Sequence, residues 1–105
     1  MSNLIIIETT FDDKDEAKKC SEYLVSKKLA ACVQLIGPIE STYIWDEQVA
    51  KEEEWCLRIK TKPEHYQNIE KTITHLHTYD IPEIISYPCE QVSPSYLKWV
   101  RKSCL

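Results

Sequence analysis

Two alternating stretches meet around Asp46-Glu47-Gln48, and they constrain the fold more than any other part of the chain. On the first, Ile39, Ser41, Tyr43 and Trp45 share one face and Glu40, Thr42 and Ile44 the other. On the return, Trp55, Leu57, Ile59 and Thr61 alternate against Glu54, Cys56, Arg58 and Lys60. A period of two is the mark of extended strand, and the polar triplet between the runs supplies a turn, so the pair reads as a hairpin. Its arms exceed about ten residues each, against a usual strand of about 5–6, so they project beyond a small domain. Trp45 and Trp55 then need a place to be buried, and a neighbouring subunit is the expected one.

The remaining segments fit around that hairpin. Leu4 to Glu8 is a nearly unbroken apolar run, as expected of a central strand covered on both sides. Asp13 stands three residues before Glu16 and opens a helix, whose stripe is Ala17, Cys20, Ser21, Leu24 and the stem of Lys28. That helix ends near Lys27-Lys28, where positive charge suits the C-terminal dipole. Ala30 to Ile36 forms the next strand, interrupted at Gly37-Pro38, and a lone glycine there marks a bulge or bend. Thr61-Lys62-Pro63-Glu64 reads as a second capping box, leading to a helix with Tyr66, Ile69, Ile73 and Leu76 inside. Ile84 to Cys89 is a last strand, placed near an edge by Pro88. Ser93-Pro94 then opens a short helix carrying Tyr96, Leu97, Trp99 and Val100. The order β-α-β-β-α-β plus a C-terminal helix predicts an α+β, ferredoxin-like domain spanning residues 1–105.

One face of such a sheet lacks helices. A 105-residue chain leaves much of its surface in water, so long arms and an open face together predict a homo-oligomer. The formal charge of −4, from 17 acidic and 13 basic residues, argues against a nucleic-acid or anionic-membrane partner. Leu4 to Ile7 is too short for a signal-peptide core, and no run approaches a membrane span. The five cysteines contain no CxxC pair and read as reduced thiols, so the expected compartment is the cytoplasm.

Chemistry-bearing side chains concentrate in His77-Thr78-Tyr79-Asp80-Ile81-Pro82-Glu83, between the second helix and the last strand. Pro82 fixes the direction in which that strand starts. His75 and His77 are too close in sequence to share a helix face, so they converge on a metal only if the helix has ended. No cysteine has a nucleophile signature, and one glycine cannot build a phosphate-cradling loop; no enzymatic activity is expected. Tyr43, Trp45, Lys60, Thr61, His77, Tyr79 and Glu83 instead form the kind of set that lines a cleft for a small polar ligand, or fills a subunit interface.

The segments Ala30-Ala31-Cys32-Val33, Ser41-Thr42-Tyr43-Ile44-Trp45, Leu57-Arg58-Ile59-Lys60-Thr61, His77 to Ile85 and Tyr96-Leu97-Lys98-Trp99 occur in order, and together they resemble the CutA divalent-cation tolerance family over nearly the whole chain. The resemblance implies a ferredoxin-like homotrimer, similar in architecture to the PII signalling proteins, with hairpins wrapped around neighbours. It implies a divalent-cation response without catalysis, Cu(II) or another divalent cation as the bound ion, His77 as its ligand, and no organic cofactor. Glu8 stands where some bacterial relatives place a cysteine, Leu76 where they place a histidine, and Glu47 where the family has a glycine. A PII-like sensor of a small anion, paired with Lys60 in the intersubunit cleft, and an assembly scaffold are the other two expectations.

Overall fold

Strand β1 (Ile5–Phe11) is the centre of the molecule. In the computed structural model, which describes residues 3–105, it is followed by α1 (Lys14–Ser26), β2 (Cys32–Trp45), β3 (Gln48–Thr61), a 3₁₀ turn (Pro63–His65), α2 (Tyr66–Leu76), β4 (Ile85–Pro88) and α3 (Pro94–Ser103). The first two residues of the expected 1–105 domain lie outside the described residues. The sheet order is β2-β3-β1-β4 with every pair antiparallel, which is the ferredoxin-like arrangement. β1 runs on to Phe11 because Thr9, Thr10 and Phe11 continue the ladder with Leu57, Cys56 and Trp55.

Alternation then sorts the strands onto two faces. Ile5, Ile7 and Phe11 of β1 join Leu57 and Ile59 of β3 and the inward residues Ala17, Cys20, Leu24, Ile69 and Ile73 of α1 and α2 in the main core. Ile6 turns the other way, into a smaller cluster with Leu4, Ala31, Val100 and Cys104 beneath α3. The two-sided burial expected of this run is therefore real, but α3 covers only one end of the second face. Ile36, Ile85 and Tyr87 remain exposed there.

Helix α1 starts where expected, with the Asp13 carboxylate accepting the N–H groups of Asp15 and Glu16. It ends in a Schellman closure: Leu29 N–H donates to Leu24 O and Lys28 N–H to Val25 O. Lys28 takes the left-handed backbone (φ 59°) usually given to glycine and stays exposed, so its stem does not extend the buried stripe. The expected capping box at Thr61 does not form. Thr61 is fully buried, donating to Leu29 O at 2.6 Å, while Glu64 pairs with Arg101 at 3.2 Å.

Both hairpin arms are 14 residues long, with a turn of only Asp46-Glu47, since Trp45 already pairs with Gln48. Positive φ at both turn residues (53° and 64°) makes it a type I′ hairpin without the glycine that this turn prefers. At roughly 3.3 Å per residue such arms reach more than 40 Å, and the molecule is 45 Å in its longest dimension against 26 and 22 Å in the others. The arms split near Gly37, joined to Pro38 by a cis peptide, where the register shifts between Ile36 and Ile39. Trp55 packs there against its own core, correcting the expectation that it needs a neighbour; Trp45, 56% exposed, still has no cover.

Candidate functional site

A cleft of about 650 Å³ opens on the sheet face away from α1 and α2, between the hairpin arms and the loop before β4. Strand alternation places its floor. Thr9 and Phe11 point into the main core, so Thr10 between them faces the cleft. One wall is the hairpin, with Tyr43 and Trp45 on β2 and Glu52 and Glu54 on β3; the other is the loop, with Tyr79, Asp80 and Glu83. Glu54 is only 6% exposed.

The loop is held by its aromatic rings. Residue 77 ends α2: its N–H still reaches Ile73 O, while its backbone has turned extended (φ −78°, ψ 145°). That turn swings the imidazole onto Phe11, stacked at 4.2 Å between centroids and 10° between planes, with Tyr79 tilted against its other side at 4.6 Å. His77 Nε2 lies 2.6 Å from Thr10 O. A carbonyl only accepts, so Nε2 carries the proton and Nδ1 is free to accept the Tyr79 N–H at 3.1 Å. The Tyr79 hydroxyl then donates to Glu54 Oε2 at 2.7 Å. Four residues thus tie β1, the loop and the hairpin together.

The electrostatics are one-signed. Four carboxylates line the cleft, and no Lys, Arg or His does. Burial, the bond to Glu54 and the charges of Glu54, Asp12 and Glu52 hold the Tyr79 phenol far above its ordinary range. Tyr43 is raised by desolvation and then by Glu52, Glu54 and Asp12. Glu83 is raised too, first by desolvation and then by Glu54 and Glu8. Desolvation leads each shift, and the neighbouring carboxylates add to it in the same direction. The thiols of Cys20 and Cys56 both move away from reactivity, Cys20 to about 11 by burial and Cys56 by burial together with Glu8 and Glu83.

Of the residues singled out in the sequence, Tyr43, Trp45, Tyr79 and Glu83 surround this cleft. Lys60 and Thr61 do not. They lie six and seven positions beyond Glu54 on β3, roughly 20 Å at strand rise; Lys60 sits 5.8 Å over the Tyr96 ring beside α3. His77 stands behind the cleft, and both its nitrogens are taken by in-chain partners, so a metal reaches it only by displacing one of them. His75 is exposed on the last turn of α2. Glu8 accepts from Arg58 Nε at 3.4 Å and from the Tyr87 hydroxyl at 2.9 Å. Among the described residues no group of three or more His, Cys, Asp or Glu side chains is placed to hold a metal ion.

Sequence reasoning missed Thr10, Glu52 and Glu54. Glu52-Glu53-Glu54 carried the signal, since period two puts the outer pair on one face, beside Tyr43 and Trp45 once the turn is known to be two residues long. The buried state of Glu54 needed the loop, which no local pattern places.

Residues 5–103 match the model of the CutA1 divalent ion tolerance protein family. The chain is 34% identical over 99 residues to the chloroplastic protein CutA of Arabidopsis thaliana, covering 94% of this chain and 54% of that protein. It is 29% identical over 103 residues to the divalent-cation tolerance protein CutA of Thermus thermophilus, covering 98% of each. The crystal structure of CutA1 from Oryza sativa superposes with a TM-score of 0.95 at 32% identity, covering 99% of this chain and 95% of that one. The chain spans about half the length of the plant and animal relatives it matches.

Proposed function

The chain belongs to the CutA1 divalent ion tolerance family, and on that premise we propose that it is a non-enzymatic, homotrimeric divalent-cation response protein whose cation-attracting element is the cleft between hairpin and loop. The observation that carries this reading is the sign of that cleft: four carboxylates, two of them on each wall, with no basic side chain among them. Oxygen donors of this kind suit a hydrated divalent ion and give no strong preference for copper. His77 contributes as a positioning residue, holding Tyr79 against Glu54, because its own nitrogens are engaged. The same sign speaks against the anion reading, since Lys60 lies outside the cleft and the field there repels an anion.

The trimer is supported by what one chain leaves bare: Ile36, Ile85 and Tyr87 on the open sheet face, and Ile44, Trp45 and Val49 at the hairpin tip. None of the five cysteines is joined in a disulfide, which fits a reducing compartment, here taken as the cytoplasm, and no described helix is long and apolar enough to cross a membrane. Equilibrium dialysis against Cu(II) and Zn(II) tests the reading. Saturable uptake that falls at least several-fold in Glu54→Gln and Glu83→Gln, and less in Lys60→Ala, is expected. Uptake unchanged in both carboxylate variants would remove the cleft as the cation site.

A further inference from the structure

The hairpin leaves the sheet at a definable junction. Trp55, opposite Phe11, is the outermost β3 residue that pairs with β1, so Glu54 is the first residue of the projecting arm. Across from Glu54, β2 resumes at Ile39 after the register shift that follows Ile36. From there to the turn, among the described residues, each strand of the arm pairs with the other alone. A two-stranded arm is marginal by itself, and its own ladder does not fix its angle to the core.

A side-chain relay crosses that junction. His77 rests on the Phe11 ring, its Nε2–H donates to Thr10 O on β1, and its Nδ1 accepts the Tyr79 N–H. The Tyr79 hydroxyl then donates to Glu54, a buried residue on the arm side of the junction. That phenol is held far above its ordinary range, first by desolvation and then by Glu54, so it stays a donor at neutral pH. A neutral imidazole has one N–H and one lone pair, and the relay uses both. A divalent cation would have to take the lone pair from the Tyr79 N–H or displace the proton that holds Thr10.

We propose that Thr10, His77, Tyr79 and Glu54 form a strut that sets the angle of the projecting hairpin on the core, and that His77 serves it as a locked Nε2–H imidazole and not as a metal ligand. The strut ties β1 to the arm through the loop, where backbone pairing between them has already stopped. It depends on neither the divalent-cation reading nor the trimer, since each of its bonds lies within one chain.

Amide hydrogen exchange of the intact assembled protein tests the strut. In Tyr79→Phe, which keeps the ring and removes only the hydroxyl, amides of residues 39–54 should exchange at least tenfold faster while those of Ile5 to Ile7 on β1 keep their rates. His77→Phe, which retains a ring on Phe11, should accelerate the same segment and the Tyr79 amide with it. Unchanged arm rates in both variants would overturn the strut, and so would equal acceleration of arm and β1, the mark of a general loss of stability. The imidazole is tested on the unsubstituted chain, which needs no variant to fold. Two-bond ¹H–¹⁵N correlation spectra, assigned with His65→Gln and His75→Gln, should show His77 as the Nε2–H tautomer both without and with saturating Zn(II). An Nδ1–H tautomer in the free protein, or a zinc-induced shift of either His77 nitrogen, would overturn the assignment. A chain that takes up no zinc at all would contradict the divalent-cation reading and not the strut.

Discussion

The two faces of the sheet are built from the same strands and have opposite fates. Toward α1 and α2, Ile7, Thr9, Leu57 and Ile59 are fully buried, and the core closes within one chain. Toward the other side, neighbouring positions on those strands are Glu8, Thr10, Cys56 and Arg58, flanked by exposed Ile36, Ile85 and Tyr87. The first face is finished by local sequence. The second mixes charge with uncovered apolar area, a composition suited to contact and ligand binding. Fold information therefore sits on one side of the sheet and functional information on the other.

The sharpest way to break this comparison is to truncate one apolar residue on each face. Ile59→Ala opens a cavity in a closed core and should cost about 3–4 kcal/mol in chemical denaturation, with the oligomer retained. Ile85→Asp should leave the secondary structure intact by circular dichroism but weaken assembly; a monomer-like loss of fold would show that the open face is needed within the chain.

Gly37→Ala tests the hinge between core and arms. A Cβ there would lie 2.7 Å from Trp55 Cδ1 and 3.0 Å from Glu54 O, so the backbone must move, at a cost of about 1–3 kcal/mol. The displaced Glu54 should also reduce cation uptake, whereas Ile59→Ala should not. Binding and stability measured on both variants separate the two regions.

A smaller effect of opposite sign is expected at Thr9. Its hydroxyl is buried on the helix-covered face with no partner among the described residues. Thr9→Val removes that unsatisfied group and should stabilise by about 1 kcal/mol. A destabilised variant would show that the hydroxyl is satisfied in solution.

The smallest effect belongs to Glu83. Its folded carboxyl is raised above the ordinary value of 4.5, first by desolvation and then by Glu54 and Glu8, so the folded chain holds that proton more tightly than the unfolded one. Its contribution is fully present below the unfolded value and is lost as pH rises through the raised one. Glu83→Gln should therefore flatten the stability profile between about pH 4.5 and neutrality. An unchanged slope would remove Glu83 from the negative cluster.

Much of the fold was legible because strand and helix periods are local. Alternation from Ile39 to Trp45 and from Glu54 to Thr61, the Asp13 cap and the edge-marking Pro88 each announced an element. Thr61 misled because its side chain answers to Leu29, 32 residues away, and not to the helix it precedes. At the site, the aromatics and Glu83 were readable as polar or aromatic side chains at strand ends. Lys60 was grouped with them by type, yet it sits at the other end of a 14-residue strand. The meaning of His77 was hidden for a different reason: residue type marks a possible ligand, whereas the bonds to Thr10 and Tyr79 that occupy it are tertiary.

Sedimentation equilibrium of the purified chain, with and without Ile85→Asp, tests most directly whether the open face is completed by other copies. The account predicts a species of three 12.3 kDa chains at micromolar concentration, shifted toward smaller species by the substitution. A well-folded monomer at the same concentration, unaffected by Ile85→Asp, would contradict it.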